Sequence, residues 1–243
     1  MSTKLLIQSS FAPNVYDLAA FFRVDQVVML GGQAWSRKGR THRAAIRNKD
    51  HRQWIGLPIR TEDKKNIISQ VRIDSKQDWI GAFLNAVQHS YTKARYFNYY
   101  WKEFDALIKE AATNERLWDF NEHVFRGLLE FMSLNYLLEK VLLLPEPYNL
   151  YKDAEISLQL QQFEKLETSG AKKSSENSAV SYIQECLSKT YMRPIPRAPT
   201  SYNPGLRYPQ HQGEFIEHCS LIDLLFEQGP ESYRYLKAAP FKG

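Results

Sequence analysis

The feature that most constrains the fold is the order of three segments within the first thirty residues. KLLIQS (residues 4–9) predicts a short buried strand, and NVYDLAAFFR, which follows Pro13, predicts a helix with one apolar face. DQVVML (residues 25–30) contains a continuous apolar run, which is typical of a strand covered on both faces. Strand, helix and strand at this short spacing predict a parallel βαβ unit. We therefore expect an α/β or α+β fold.

The rest of the sequence predicts further strands and then helices. RQWIGLPI (52–59) and NIISQVRI (66–73) have strand-like patterns on either side of the charged turn RTEDKK. After residue 77 the apolar residues have helical spacing, and the last helical stretch is predicted to run from residue 115 to the prolines after residue 144. CSLIDLLFEQGPES predicts a short helix that docks on the N-terminal part. We expect a small N-terminal sheet, a helical middle, and an extended C-terminal segment with this docking helix.

Composition divides the chain into three parts. Residues 1–150 contain the predicted strands and most of the predicted helices, and we expect them to form the core. Residues 151–200 include the polar run EKLETSGAKKSSENSAV and the start of a Pro-rich stretch, so they predict a linker or a mobile insertion. Residues 201–243 contain the docking helix, and we expect them to complete the same domain as residues 1–150.

Charge and cysteine content narrow the possible partners. The formal net charge is +5, and residues 37–65 alone contain ten Lys or Arg residues and three acids. This excess favours an anionic partner without naming one. The two cysteines are too few for a disulfide framework or a thiolate metal cage, which indicates a reduced, cytoplasmic protein. No segment has the roughly 20 apolar residues that a membrane span needs, so we expect no membrane span.

The sequence motifs of the common enzyme classes are absent. The chain has no GxGxxG, P-loop, GxSxG, HExxH or paired CxxC motif, which argues against a common dehydrogenase, kinase, serine hydrolase or zinc protease. His211 and His218 lie seven residues apart beside Cys219, but this spacing matches no common metal-binding template. We therefore expect neither a bound metal nor a cofactor. The absence of these motifs leaves open whether the protein is an enzyme.

The basic stretch from Gly31 to Arg60 has three interpretations. Its cations and two tryptophans are compatible with a nucleic-acid surface, where Lys and Arg neutralise phosphates and aromatic rings stack on bases. They are also compatible with a pocket in which two or three Arg side chains bind a small anion, or with solvated charges on exposed strands. The nucleic-acid interpretation is the weakest. The second half of the stretch predicts a solvated strand to which Trp54 and Ile55 contribute core residues.

Four stretches of the sequence occur in an order that resembles one protein family. They are IQSSFAPNVYDLAAFF, DQVVMLGGQAWSRKGRTHRAAI, DWIGAFLNAVQHSYTKARYFNYYWKEF and, most specifically, FIEHCSLIDLLFEQGPES. Together they resemble the WbqC-like family, whose bacterial members are commonly associated with gene clusters for lipopolysaccharide O-antigen and other surface polysaccharides. The similarity covers residues 5–105 and 206–236.

The sequence departs from the family pattern at positions that matter for chemistry. Many members have Asp-Asp-Val-Gln after the second strand, whereas this chain has GGQA, so Gly31 and Gly32 stand where two carboxylates are expected. The family's Asn-Arg pair is His-Arg here, which retains Arg43, and a Pro-Asn pair near the end is Glu-His, which places His218 there. The opening His-Gln-Pro-Asn is replaced by IQSS. A histidine with an acidic pair could transfer protons or hold a metal, so these losses weaken the case for that chemistry.

The residues that remain are better suited to binding an anion or a sugar at the carboxyl ends of the first two strands, where open α/β sheets bind ligands. The predicted ligand-binding residues are Gln8, Trp35, Arg37, Arg43, Gln210 and His218. The last two come from the C-terminal region of similarity. Asp223, which lies beside three leucines on the docking helix, is interpreted as a structural residue.

Two functions of different classes follow. The resemblance implies a cytoplasmic protein of surface-polysaccharide biosynthesis, and one activity it implies is that of a transferase acting on a nucleotide-linked sugar. The missing carboxylates favour instead a non-catalytic or degenerate binding or scaffold protein of the same family. In both cases the expected partner is an anionic small molecule such as a nucleotide-linked sugar. A nucleic-acid-binding protein is the weaker alternative, and the oligomeric state is left open.

Overall fold

The computed structural model of the protein describes residues 4–146 and 205–239. The predicted linker or insertion at residues 151–200 lies outside these ranges, as does most of the Pro-rich stretch next to it. Within the described ranges the chain is a mixed α/β structure, as the sequence predicts, with a parallel sheet near the N-terminus and a helical middle.

The fold begins with a parallel pair of strands. Strands β1 (Lys4–Gln8) and β2 (Gln26–Leu30) pair in parallel along their full length, and helix α1 (Val15–Phe21) connects them. The Asn14 side chain caps α1 by accepting a hydrogen bond from the Tyr16 amide at 2.8 Å. The predicted βαβ unit is confirmed.

An antiparallel hairpin follows β2. Its strands β3 (Arg43–Asn48) and β4 (His51–Gly56) are joined by two residues. The first of these, Lys49, has a φ of 49°, which is the conformation that two-residue hairpin turns require. The sequence predicts β4 but does not reveal β3, because the basic residues of RAAIRN hide its short apolar centre.

The strand predicted at residues 66–73 is wrong. The segment contains a 3₁₀ turn (Ile68–Gln70), and among the described residues its sheet-like contacts are isolated bridges, such as the one between Ile73 and Ile59. Ile68 and Val71 are both fully buried. They lie three residues apart, which is the spacing that a 3₁₀ turn places on one face, so the apolar pattern belongs to a turn and not to a strand.

Helices account for most of the remaining described chain. They are α2 (Ile80–Tyr91), α3 (Phe97–Ala111), α4 (Leu117–Phe131), α5 (Leu221–Gln228) and α6 (Ser232–Ala238), with 3₁₀ turns at Thr61–Asp63, Asn135–Lys140 and Gly229–Glu231. Aromatic rings join several of them in one core. The ring centroid of Phe104 on α3 lies 6.4 Å from that of Phe83 on α2 and 5.3 Å from that of Phe226 on α5.

A third parallel strand replaces the end of the predicted long helix. β5 (Val141–Leu144) pairs with β2, which gives the strand order β1-β2-β5. Helix α4 ends at Phe131, and Ser133 has a φ of 56°, a conformation that commonly terminates helices. The prediction of helix up to residue 144 is wrong because a run of four apolar residues fits a strand beside a buried strand as well as it fits a helix.

Helix α5 docks on the N-terminal part, as predicted. All eight of its residues are buried. The Leu221 amide donates to the Pro13 carbonyl at 2.9 Å, and the Ser220 amide donates to the Ala45 carbonyl at 2.8 Å. The chain entering α5 therefore lies between the loop after β1 and strand β3. In the described ranges every helix is too short or too polar to cross a membrane.

Gly31, the first residue after β2, has no room for a side chain. A Cβ atom there would lie 2.5 Å from Trp118 Cζ3 and 3.0 Å from the Pro145 Cα atom. The Gly31 amide donates to the Leu144 carbonyl at 2.8 Å, and its carbonyl accepts from the Ser69 amide at 2.9 Å, so the backbone is held in place from both sides. Trp118 therefore occupies the space that a side chain at position 31 would need.

We predict that Gly31→Ala lowers the free energy of unfolding by about 1–3 kcal/mol, the usual cost of forcing extra atoms into a packed core. Combining it with Trp118→Phe should cost less than the sum of the two single changes, because the smaller ring vacates part of the contact. Chemical denaturation measures both effects. Gly81→Ala is the control, since a Cβ there would lie 3.9 Å from Asp78 Oδ1, an ordinary contact. Equal losses from the two Gly→Ala changes would contradict the prediction.

Candidate functional site

Three segments of the chain meet at the carboxyl ends of β1 and β2. The loops after these strands are joined by the Phe11 amide, which donates to the Thr41 carbonyl at 3.2 Å, and the segment before α5 reaches the same place through a bridge between Asn14 and Ser220. Ala12 in the first loop has a φ of 44°, and His218 has a φ of 61°. Residues other than glycine adopt this conformation at a cost, and such residues concentrate at functional sites. This junction is the candidate site.

A small pocket opens at the junction. It is lined by the loop after β1, the hairpin and the segment before α5, with Ser10, Asn14, Arg40, Arg43, Trp54 and His218 among its lining residues. Its volume is about 10 Å³, which accommodates one water-sized group. Two of the lining residues are arginines, and none of them carries a carboxylate. The pocket therefore favours an anionic or neutral oxygen over a cation.

Arg43 forms one wall of the small pocket. Its Nε donates to the Gly39 carbonyl at 2.9 Å and its Nη2 to the Lys38 carbonyl at 2.5 Å, while no hydrogen bond is made by Nη1 within the described ranges. Its guanidinium carbon lies 4.4 Å from the ring centroid of Trp54. Burial lowers the pKa of Arg43, but a guanidinium remains protonated in proteins. A partly desolvated cation with an unused N–H group is suited to binding an anion.

The other polar groups around the small pocket are neutral or paired. Arg40 forms an ion pair with Asp17 at 3.1 Å. The His218 ring packs edge-on against Tyr16 with centroids 4.8 Å apart, and burial lowers the pKa of His218, so its imidazole is neutral at physiological pH. The hydroxyls of Tyr16 and Ser220 are buried without a hydrogen-bond partner among the described residues. Burial raises the pKa of Tyr16 to about 12, so its hydroxyl remains a donor.

A larger groove shares the Arg43–Trp54 stack with the small pocket. One wall is the hairpin and the other is the start of α2, and the lining includes His42, Arg43, Trp54, Gln77, Asp78 and Trp79. The volume of the groove is about 520 Å³, which is within the range of ligand-binding sites. Trp54 is 39% exposed. Arg43 and Trp54 line both hollows.

His42 adds a second neutral imidazole at the edge of the groove. Burial first, and then the charge of Arg43, lowers the pKa of His42 to about 4. Its ring centroid lies 4.9 Å from that of Trp35. Nδ1 of His42 and Nε1 of Trp35 are both buried without a hydrogen-bond partner in the part of the chain that the structure describes. These groups are unusual, since buried polar atoms are normally hydrogen-bonded.

The structure brings some of the predicted ligand-binding residues together. Arg43 and His218, which are far apart in sequence, line the same small pocket. Trp35 packs on His42, and His42 lines the groove next to Arg43. Arg43 and His218 therefore line a hollow, whereas Trp35 lines neither and contacts His42 of the groove.

The other three predicted residues lie apart from both hollows. Gln8 is half-buried at the end of β1, and Arg37 is exposed in the loop after β2. Neither lines the small pocket or the groove. Gln210 belongs to a buried network beside α5. The six residues do not share one cleft, and ligand binding by each of them stays a prediction.

The buried network is centred on Asp223 of α5. The carboxylate has no exposed surface and accepts hydrogen bonds from the hydroxyls of Tyr91 at 2.7 Å and Tyr208 at 2.6 Å, and from the Gln210 amide at 2.9 Å. Burial raises the pKa of Asp223, and the three donors oppose this rise. Asp223 therefore has the structural role expected from the sequence, although it acts through side chains and not through a neighbouring backbone.

Arg47 of β3 is the cation of the same network. Its Nη1 donates to Gln210 Oε1 at 2.5 Å and to the Glu214 carbonyl at 3.0 Å, and its Nη2 donates to the Gln212 carbonyl. Gly213 has a φ of 59°, and a Cβ there would lie 2.8 Å from Arg47 Nη2. A glycine is needed for the chain to approach the guanidinium this closely.

A buried acid–histidine pair also attaches the segment before α5. Glu227 accepts a hydrogen bond from the His211 amide at 2.9 Å, and its Oε1 lies 2.5 Å from His211 Nδ1. Burial first, and then the charge of Asp223, raises the pKa of Glu227 to about 8, while burial lowers the pKa of His211. Near neutral pH the pair is therefore a protonated carboxyl that donates to a neutral imidazole.

Sequence reasoning missed Trp54 and Asp78 as site residues. The expectation that Trp54 contributes to the core is wrong, whereas Ile55 is buried as expected. Adjacent residues of a strand point to opposite faces, so the two side chains could not both enter the core, and this alternation is the signal that could have found Trp54. Asp78 carries no comparable signal, because it is one of several polar residues before a helix.

The mixed α/β fold has its small pocket beside the loop after β1, at the carboxyl end of a parallel strand, which is where α/β proteins commonly bind small molecules. A comparison with sequence models of protein families matches residues 8–235 to the WbqC-like protein family. The chain therefore belongs to that family, as its sequence predicts. No curated protein and no solved structure matches the chain.

The family resemblance leads us to expect a carboxylate at position 31, and the packing around Gly31 leaves no room for one. Trp118 fills the space beside Gly31, so an aspartate could not be restored there without displacing the indole ring. Between residues 4 and 146 and between residues 205 and 239, no group of three or more His, Cys, Asp or Glu side chains is arranged to hold a metal ion.

We predict that the free energy of unfolding falls by up to about 2 kcal/mol as the pH rises from 6.5 to 8, because the folded state retains a proton on Glu227 that the unfolded chain has released. The folded pKa of about 8 exceeds the ordinary value of 4.5, so this contribution is full below 4.5 and is lost as the pH rises through 8. Below the ordinary histidine value of 6.5, the lowered pKa of His211 acts in the opposite direction. The decline in stability that Glu227 causes is therefore clearest above pH 6.5.

Glu227→Gln tests this prediction, since the amide reproduces the donor and the acceptor of a protonated carboxyl. Denaturation of the variant at several pH values should show a smaller decline between pH 6.5 and 8 than denaturation of the unmodified protein. Glu122→Gln is the control, because Glu122 forms a surface ion pair with Arg126 at 2.7 Å. If both variants keep the original decline, Glu227 is not its source.

Proposed function

We propose that this protein binds a nucleotide-linked sugar in the cytoplasm and acts as a transferase on it during the synthesis of a cell-surface polysaccharide such as lipopolysaccharide O-antigen. The observation that carries the proposal is the Arg43–Trp54 stack between the two hollows. A guanidinium binds phosphate oxygens, and an indole ring offers apolar surface to a sugar or a base. Membership of the WbqC-like family supports the polysaccharide context.

The charge around the small pocket supports binding of the phosphate group. Arg43 supplies the available cation of the pocket, because Arg40 beside it is paired with Asp17 and its histidine, His218, is neutral at physiological pH. Since the pocket admits one water-sized group, we place a single phosphate oxygen inside and the rest of the phosphate at the mouth, within reach of Arg43 Nη1. The remainder of the ligand then extends across Trp54 into the groove.

A non-catalytic binding or scaffold role in the same context is the second candidate. It is favoured by the absence of a carboxylate from the small pocket and by the closure of position 31 by Trp118. The two candidates differ in one measurable respect. A purified sample that turns over a glycan precursor supports the transferase, whereas tight binding without turnover across donors and acceptors supports the binding role.

The nucleic-acid alternative is weakened by the positions of the cations. Arg47 is fully buried in its own network, Arg40 is paired with Asp17, and Arg43 is half-buried against Trp54. These three arginines are therefore less available to a polyanion than the exposed cations Arg37, Lys38, Lys49 and Arg52. Binding to tRNA or DNA that weakens steeply with salt would be needed to restore this alternative.

We predict that isothermal calorimetry detects binding of at least one nucleotide-linked sugar. The panel includes uridine, guanosine and thymidine diphosphate sugars, with acyl-coenzyme A thioesters as a second class of donor. Binding should weaken with added inorganic salt, because a phosphate–guanidinium contact contributes to it. A folded protein that gives no signal with any member of the panel would contradict the proposal.

We predict that Arg43→Ala weakens binding of that ligand by about 10- to 100-fold, the usual loss for a hydrogen bond to a charged group. Arg52→Ala is the matched control, because the Arg52 guanidinium also lies over Trp54, 5.7 Å from the ring centroid, but lines neither hollow. Calorimetry gives the affinities, and a thermal melt shows whether each variant is folded. Similar losses of affinity in both variants, or unfolding of Arg43→Ala alone, would assign Arg43 a structural role.

A further inference from the structure

The two walls of the groove carry different charges. Arg43 belongs to the hairpin wall, whereas Asp78 belongs to the wall formed by the start of α2. The small pocket, in contrast, has two arginines and no acid among its lining residues. A ligand that places its phosphate at Arg43 and extends into the groove therefore meets a carboxylate on the far wall.

The groove also has the surface that a sugar ring requires. Trp54 is 39% exposed and offers an apolar face or edge, whereas Trp79 is 9% exposed because its ring packs against Phe120 with centroids 5.7 Å apart. Gln77 donates its amide nitrogen to Asp74 Oδ2 at 2.9 Å, which fixes the side chain beside the groove. Apolar surface with a few fixed polar groups is the usual composition of a small-molecule site.

The Asp78 carboxylate lies near the first turn of α2. Its two oxygens lie 3.9 and 4.0 Å from the position that a Cβ on Gly81 would occupy. This exposed carboxylate adds a negative charge to the α2 wall of the groove. A carboxylate accepts hydrogen bonds from sugar hydroxyls and repels a second carboxylate.

We propose that the groove between the hairpin and α2 binds the uncharged sugar ring of the ligand and that Asp78 excludes sugars that carry a carboxylate. This inference rests on the proposed function and extends it from the anion to the class of sugar. Specificity of this kind depends on a repulsive contact as well as on attractive ones. Asp78 is thus a specificity-determining residue, and Arg43 is the anion-binding residue.

The test uses pairs of ligands that differ only in a carboxylate on the sugar, such as UDP-glucose and UDP-glucuronate. Calorimetry on the full chain should give an affinity at least fivefold higher for the neutral member. In Asp78→Asn the ratio should fall below twofold because the acidic member binds more tightly. Asp105→Asn removes the same charge from α3 and does not line the groove, so it should leave the ratio unchanged. The inference is overturned if the two affinities are nearly equal in the unmodified protein, or if Asp78→Asn leaves their ratio unchanged. Neither result would contradict the proposed anion site.

A second measurement separates failure of this inference from failure of the proposed function. If no nucleotide-linked sugar binds, the proposed function fails, and the groove is tested with the free sugars methyl glucoside and methyl glucuronate. The readout is the indole NMR signal of Trp54, assigned through Trp54→Phe. A response to methyl glucoside that exceeds the response to the glucuronate, and that equalises in Asp78→Asn, supports the inference. No response of the Trp54 signal to either sugar overturns it.

Discussion

Arg47 carries a positive charge in the interior of the protein, with no exposed surface, and the segment before α5 wraps around it. The carbonyls of Gln212 and Glu214 and the side chain of Gln210 satisfy its two terminal nitrogens. Detaching this segment would leave a buried charge without partners, which costs several kcal/mol. Because the same segment continues to His218, which lines the small pocket, both the docking of α5 and the shape of the candidate site depend on this one buried cation.

The sequence predicts the parts of the fold that have a strong local signal. The continuous apolar run of β2 and the helix before it predict the parallel βαβ unit, and the apolar face of α5 predicts the docking helix. Two strands could not be predicted in the same way. The run Val141–Leu144 is too short to distinguish strand from helix without knowing that β2 has a free edge beside it. The strand Arg43–Asn48 was hidden because its arginines serve specific contacts, one of them fully buried.

The candidate site was less predictable than the fold because its contacts join residues far apart in sequence. Arg43 and His218 could be proposed separately, but their meeting in one pocket depends on the path of the segment around Arg47. Gln210 was predicted to contact a ligand, which stays a prediction, and its hydrogen bonds to Arg47 and Asp223 place it in the buried network. A polar residue in a region of family similarity can serve the attachment of a segment, and sequence alone does not distinguish this role from binding.

The two neutral histidines limit the chemistry that the site can perform. His42 has a pKa of about 4, so it is a weak base at neutral pH, and the pKa of His218 is also lowered by burial. No carboxylate lines the small pocket, and Trp118 closes position 31, where the family resemblance leads us to expect one. At the small pocket a transfer reaction would depend on the orientation of the reactants and on the charge of Arg43, since the carboxylate assigned to the site, Asp78, lines the groove. The carbonyls of residues 38 and 39 and the ring of Trp54 fix that charge in advance, which is the arrangement that electrostatic stabilisation requires.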